Sequence, residues 1–206
     1  MGITERRERE KQELRTRILD AARELFAKEG YDAVTMRRIA DAIEYSPTAI
    51  YLHFKDKETL VRDLCANDFL ALAKTFERIA RDPDPLDRLR KVGLAYLEFA
   101  LSHPNHYRLM FMTPRLHEDN LLEKGNPEED AYAFLVGTVT RAIDAGALRL
   151  ELKDPHLVAQ AVWGAVHGVV ALRIAKGGDP WVDWRPVRRT AELVIDATLR
   201  GLRRER

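Results

Sequence analysis

Ser46-Pro47, Asp84-Pro85 and Asp154-Pro155 each set a capping side chain directly before a proline. A serine or aspartate oxygen can accept from the unpaired N–H groups that open a helix. Proline at the first helical position has no N–H to leave unpaired. Each pair therefore marks a helix start, while Asp82-Pro83 and His103-Pro104 mark breaks. Between these marks apolar residues recur at a period near 3.6, and no run alternates with period two. The chain is expected to be all-α.

Leu14, Ile18, Ala21, Ala22, Leu25 and Phe26 define an amphipathic helix that stops at Gly30, read as a left-handed C-cap. Thr35 caps a short helix whose apolar face is Ile39, Ala40 and Ile43. Arg38 stands where a full capping box would place Glu or Gln. Ser46 opens a second short helix, with Ile50 and Phe54 four apart and inward. Ala22, Phe26, Val34, Ile39, Ile50 and Phe54 would form the core of this three-helix unit. Two short helices joined by a tight turn suit a helix-turn-helix, whose second helix puts its N-terminal residues against base edges. Any three-helix packing motif gives the same periodicity, so periodicity alone does not choose.

Charge adds a little. Acidic and basic residues balance over the first sixty positions, and the formal net charge of the whole chain is +1. Placement is more telling: Arg37, Arg38, Lys55 and Lys57 bracket the helix pair, where phosphates would flank a groove. The start of the chain interleaves Arg6, Arg7, Arg9 and Lys11 with glutamates and reads as a solvated helical extension. It carries no apolar core of a signal peptide. The lone cysteine, Cys65, permits no intrachain disulfide, which suits a reducing cytoplasm. Beside Leu64 on a helix, it reads as a buried small hydrophobe.

Beyond residue 60 helices are expected from Lys57 to about Arg81 with Asp56 as cap, from Asp84-Pro85 to Ser102, and over 105–111. Residues 113–130 read as a polar loop. Further helices should span about 128–145, Asp154-Pro155 to Gly177-Gly178, and 183–202. Leu157 to Ala175 is nearly long enough to span a bilayer, but Gln160, His167 and Arg173 interrupt it. Gly164 and Gly168 suggest close helix packing, so an interface helix is expected and no membrane. Leu157, Val158, Ala161, Val162, Ala165, Val169 and Leu172 form one apolar face. Val187, Ala191, Val194, Ile195, Thr198 and Leu202 form another. Both fit a domain core or a four-helix interface between two copies.

Other chemistries find little support. His103, His106 and His117 flank a proline break with no Cys-x-x-Cys nearby, so no metal is expected. There is no glycine-rich phosphate loop and no paired catalytic carboxylates, so neither a cofactor nor an enzyme is expected.

Arg17 to Leu60, RILDAARELFAKEGYDAVTMRRIADAIEYSPTAIYLHFKDKETL, resembles the DNA-binding domain of the TetR family of bacterial transcriptional regulators. The resemblance rests on Phe26, Gly30 and Tyr31 at the first helix exit, the Thr35 cap, Ile39-Ala40, Ser46, Tyr51-x-His53-Phe54 and Lys57-Glu58. It implies an N-terminal helix-turn-helix domain over 12–72, with the motif at 35–54. Residues 73–206 would bind an effector and dimerise. The partners implied are a palindromic double-stranded DNA operator, a largely apolar small molecule, and a second copy docked through the last two helices. Regulation would most simply be repression relieved by ligand. By resemblance, Thr35, Tyr51, His53 and Lys57 correspond to phosphate contacts, while Ser46, Pro47, Thr48, Ala49 and Leu52 face the groove.

The turn departs from the family. The usual Ala-Gly-Val-Ser is here Ile43-Glu44-Tyr45-Ser46, and Pro47 replaces a position that is often basic or polar. A positive φ at Glu44 would cost on the order of 1 kcal/mol; otherwise the turn differs slightly and re-aims Ser46. These departures support an alternative, a small-molecule-binding helical protein with a degenerate reader. Tyr96, Phe99, Tyr107, Met110, Phe111, Tyr132, Phe134, Trp163 and His167 supply side chains that line apolar cavities and equally fill cores. Trp163-x-x-x-His167-Gly168 resembles the Trp-His-Gly signature of one C-terminal class in the family.

Overall fold

Helices begin at Pro47, Pro85 and Pro155, where the three capping pairs predict them. A computed structural model describes residues 2–112 and 125–205. The elements are α1 (Ile3–Glu29), α2 (Met36–Ala42), α3 (Pro47–Tyr51), α4 (Lys57–Glu77), α5 (Pro85–Ser102), α6 (Pro104–Met112), α7 (Ala131–Asp144), α8 (Pro155–Lys176) and α9 (Val187–Leu202). Among the described residues the one β-type pairing is an isolated bridge between Leu148 and Arg203. Asp84 accepts from the N–H groups of Leu86 and Asp87, and Asp154 from those of His156 and Leu157. Asp56 caps α4 by accepting from Thr59 N at 2.7 Å.

Several boundaries differ from the sequence reading. α4 ends at Glu77 rather than near Arg81. α7 begins at Ala131 rather than 128, because Asp130 caps it through the N–H groups of Tyr132 and Ala133. α9 begins at Val187 rather than 183. Trp184 Nε1 donates to Asp179 O at 3.2 Å, and Arg173 stands 6.0 Å from the Trp184 ring, which holds this segment outside the helix. Gly30 does close α1, but at φ 82 and ψ 162. That is a glycine conformation outside the left-handed helical basin. Residues 113–124 of the expected loop, with His117, lie outside the described residues.

The chain groups into two compact units. One contains the chain up to Asp68 together with α6 from Asn105; the other contains Phe69–Pro104 and the described chain from Gly125 onward. α4 is continuous from the first into the second. A division at residues 72/73 does not express the place of α6 with the first unit.

In the first unit the six expected core residues are all buried, Ala22, Val34, Ile39 and Ile50 completely. Beside this apolar core lies a charged one. Asp68 on α4 is 3% exposed. It accepts from Arg23 Nη2 of α1 at 2.8 Å and lies 2.9 Å from His106 Nδ1 of α6. His103 instead lies 3.2 Å from Phe99 O, so the two histidines do not converge. Cys65 is buried, and that burial, more than the neighbouring Asp68 charge, pushes its thiol up to about 12.

In the second unit α5, α7, α8 and α9 pack together. Gly93 lets α5 approach α9 closely: a Cβ there would sit 3.0 Å from Ile195 Cδ1. The two faces assigned to a possible interface are split by this packing. Val158 and Val162 of α8 and Ala191 and Ile195 of α9 are buried within the chain, while Leu157 and Leu172 stay exposed; Leu193 of α9, outside both assigned faces, is exposed too. α8 is long and apolar enough, by length and composition, to cross a membrane, yet only 28% of its most apolar 18-residue window is buried here. At Gly164 and Gly168 a Cβ would meet nothing within 4 Å, so the close packing expected there does not occur among the described residues.

Candidate functional site

The reader is built from two side-chain caps. Thr35 Oγ1 accepts from Arg38 N at 3.1 Å and starts α2. Ser46 Oγ accepts from Ala49 N at 3.2 Å and starts α3, with Pro47 at its first position. Ile50 and Phe54 point into the core, which turns Tyr51 and Leu52 outward; Leu52 is 79% exposed. Ser46 and Thr48 are also exposed, and Pro47 and Ala49 are half-buried.

Between the helices Glu44 adopts φ 62. Tyr45 N donates to Ala40 O at 3.0 Å and Glu44 N to Asp41 O at 3.3 Å. These six-to-one and five-to-two bonds are the Schellman pattern, in which the residue at Glu44's place is usually glycine. A left-handed non-glycine costs about 1–2 kcal/mol, and glycine loses about 0.4–1 kcal/mol through its freer unfolded chain. Glu44→Gly should therefore raise stability by roughly 0.5–1 kcal/mol, read from urea unfolding midpoints. An unchanged or lower midpoint would show that the strain is relieved in some other way.

The cations near the reader are differently employed. Arg37 is exposed. Arg38 pairs with Glu29 at 3.0 Å on the surface. Arg15 stands 5.0 Å from the Phe54 ring centroid and pairs with Asp63. Lys57 Nζ donates to Tyr31 O at 2.9 Å and Val34 O at 3.0 Å, and lies 4.1 Å from the Tyr31 ring centroid. Two of its three N–H donors thus clasp the α1–α2 connection to the start of α4. This clasp is tertiary and has no local sequence signature. His53 Nδ1 is buried with no hydrogen-bond partner among the described residues. Burial first, then Lys11 and Arg15, lower the pKa of His53. It is a neutral imidazole near pH 7.

In the second unit a polar-aromatic cluster forms from four of the nine proposed pocket residues. Trp163 Nε1 donates to Tyr96 Oη at 3.2 Å, and Tyr96 Oη lies 3.0 Å from His167 Nδ1. The Tyr132 ring lies 6.3 Å from Trp163, and Gln160 and His156 meet the Tyr132 hydroxyl. Neither His156 nor Gln160 was anticipated as part of this cluster; only spacing along α8 could have suggested them. Phe134 is not part of the cluster. It packs on Phe76 at 5.6 Å and borders a cleft of about 490 Å³ with Thr138 and Arg141. The Phe99 ring meets His103 at 5.2 Å. Tyr107, Met110 and Phe111 sit on α6 in the first unit, where the Tyr107 and Phe111 rings are 4.9 Å apart.

Burial lowers the pKa of His167. Tyr96 Oη thus accepts from Trp163 Nε1 and shares a hydrogen bond with Nδ1 of this desolvated ring. A histidine whose folded pKa is depressed contributes stability above its unfolded pKa of about 6.5 and loses it as pH falls below that value. His167→Gln should flatten the decline in stability below about pH 6.5, followed by thermal melts across pH. An identical acid-side slope in the variant would contradict this.

Together these features define an all-helical protein with a helix-turn-helix unit followed by a separate helical unit. Comparison with known proteins agrees in both parts. Residues 18–64 match the family of bacterial regulatory proteins called tetR, and residues 89–198 match the tetracyclin repressor-like C-terminal domain. The chain belongs to the TetR family. It is 40% identical over 84 residues to the HTH-type transcriptional repressor Rv1474c of Mycobacterium tuberculosis, covering 36% of this chain and 45% of that one. It is 28% identical over 164 residues to the HTH-type transcriptional regulator QacR of Staphylococcus aureus, covering 76% of this chain and 84% of that one. A solved structure from Rhodococcus sp. RHA1, of unknown function, superposes with TM-score 0.74 at 26% identity over 93% of this chain and 96% of that one. The chain spans less than half the length of the first curated relatives it matches, 45% for Rv1474c and 30% for the UidR regulator of Escherichia coli.

Proposed function

We propose that the protein is a cytoplasmic transcriptional regulator, most simply a repressor, that binds a palindromic operator as a homodimer and is released by a small apolar effector. The observation that carries this reading is the capped α2–turn–α3 unit, which buries Ile50 and Phe54 and thereby turns the opposite face of α3 outward. Ser46, Pro47, Thr48, Ala49 and Leu52 would meet base edges. Thr35, Arg37, Arg38, Tyr51 and His53 would meet phosphates, with His53 as a neutral Nε2–H donor. Lys57 has one N–H left for a phosphate beyond its two carbonyl bonds. The left-handed turn at Glu44 keeps the reader geometry without glycine, which favours a working reader over a degenerate one.

The effector would engage the Tyr96, Tyr132, Trp163 and His167 cluster, aromatic with a few placed polar atoms. α4, continuous between the two units, is the physical link through which occupancy would reach the reader. In vitro selection of bound duplexes, followed by footprinting, tests the reading. A palindrome with half-sites about one helical turn apart is expected. Recovery of unrelated sequences at uniform affinity would overturn it. Mass spectrometry of gently purified protein addresses the effector.

A further inference from the structure

α1 carries a residue whose contacts fall on the one strained point of the reader. Arg17 Nη2 donates to the carbonyl oxygen of Ile43 at 3.4 Å, and its guanidinium carbon stands 5.3 Å from the centroid of the Tyr45 ring. Ile43 and Tyr45 are the residues on either side of Glu44, the positive-φ non-glycine residue of the described chain. A side chain held in the left-handed region persists only where its surroundings over-determine it. The bonds from Tyr45 N and Glu44 N close the turn from the α2 side. Arg17 closes it from the α1 side, holding the carbonyl before Glu44 and covering the ring after it. Ser46, the cap of α3, follows at once, so a change of dihedral at Glu44 would swing the whole recognition helix.

We propose that Arg17 is a positioning residue for the recognition helix: through the Ile43 carbonyl and the Tyr45 ring it fixes the turn that Glu44 strains, and so sets operator preference without contacting DNA. This rests on the DNA-binding reading above. It belongs to this chain's own Glu44-Tyr45 pair, since a glycine turn would hold its shape unaided.

The test measures affinity for the selected operator and for an unrelated duplex, from 50 to 200 mM salt. The proteins are the wild type, R17Q, Y45V, R17Q/Y45V and R17Q/E44G, each checked for folding by thermal melt. R17Q should weaken operator binding by about tenfold, from the loss of one cation–π contact and one hydrogen bond, and leave binding to the unrelated duplex nearly unchanged. Its salt slope should run parallel to wild type. Y45V should behave alike, and R17Q/Y45V should be no weaker than either single variant, because both act through one turn. R17Q/E44G should recover most of the affinity. A slope shallower by about 0.9 for each arginine lost would make Arg17 a phosphate contact and overturn the proposal. Additive losses, unchanged operator affinity in R17Q, or no recovery with E44G would overturn it too. Should R17Q lose its fold, Y45V carries the comparison, and unaltered operator binding there has the same meaning. A wild-type protein that binds no duplex overturns the DNA-binding reading itself, and this inference with it.

Discussion

Asp68→Ala should cost roughly 3 kcal/mol of unfolding free energy, among the largest single-site losses in the reader unit. Asp68 is 3% exposed, and its carboxylate is the counter-charge for Arg23, whose side chain is 22% exposed. Removing it leaves the guanidinium, whose Nε is already buried without a hydrogen-bond partner among the described residues, with the longer, exposed pairing to Asp20 at 3.7 Å. Breaking a buried pair from one side leaves an uncompensated charge, whereas replacing both sides with apolar groups removes the problem. Asp68→Leu with Arg23→Met should therefore recover most of the loss. Urea midpoints measure both variants. Cys65 offers a second readout: buried and with its thiol at about 12, it should react slowly with thiol reagents until the unit opens. Its labelling rate should rise in Asp68→Ala. A loss below about 1 kcal/mol with unchanged labelling would mean that His106 and water satisfy Arg23's surroundings without the carboxylate.

What could be read from the sequence was what is decided locally. The Ser46-Pro47, Asp84-Pro85 and Asp154-Pro155 starts need only a side-chain oxygen and the next two or three N–H groups, and all three helices begin there. At Glu44 the sequence leaves two turns open, one strained at positive φ and one of different shape, and the structure takes the first, closed by the bonds from Glu44 N and Tyr45 N back to α2. Asp130 escaped notice as a cap because it closes a polar stretch in which several acids compete for the role. The late start of α9 depends on Trp184 reaching back to Asp179 and Arg173, a tertiary arrangement with no local signature. The proposed pocket residues divide between separate places for a related reason. Aromatic identity says a side chain will be buried, not against which neighbour, so Phe134 went to Phe76 while Tyr96 went to Trp163 and His167. The clasp of Lys57 onto two carbonyls is also tertiary, and motif resemblance suggested only its phosphate role.

Leu157→Glu combined with Leu172→Glu should give a folded protein that is monomeric at micromolar concentration and binds operator about a hundredfold more weakly or worse. Along α8 the residues Leu157, Ala161, Gly164, Gly168 and Leu172 recur every three or four positions, and all but the half-buried Gly168 are exposed. Leu157 and Leu172 are 61% and 57% exposed, and Leu193 on α9 is 64% exposed. A stripe with large ends and a small-residue middle lets a second helix approach closely, and no neighbour among the described residues uses the space above Gly164 or Gly168. The substituted positions are exposed within the chain, so the variant's helical circular dichroism should match wild type. At a two-fold interface each substitution counts twice, and burying an unpaired carboxylate there is far costlier than leaving it in water. The loss of affinity follows from geometry. A dimer that holds one half-site presents its second reader at millimolar effective concentration, worth 10²–10⁴-fold in avidity, and a monomer forfeits that gain. Sedimentation velocity and gel shift on full and half operators measure the two consequences separately. Persistent dimers would move the interface away from this stripe, and monomers that keep full operator affinity would break the link between symmetry and recognition.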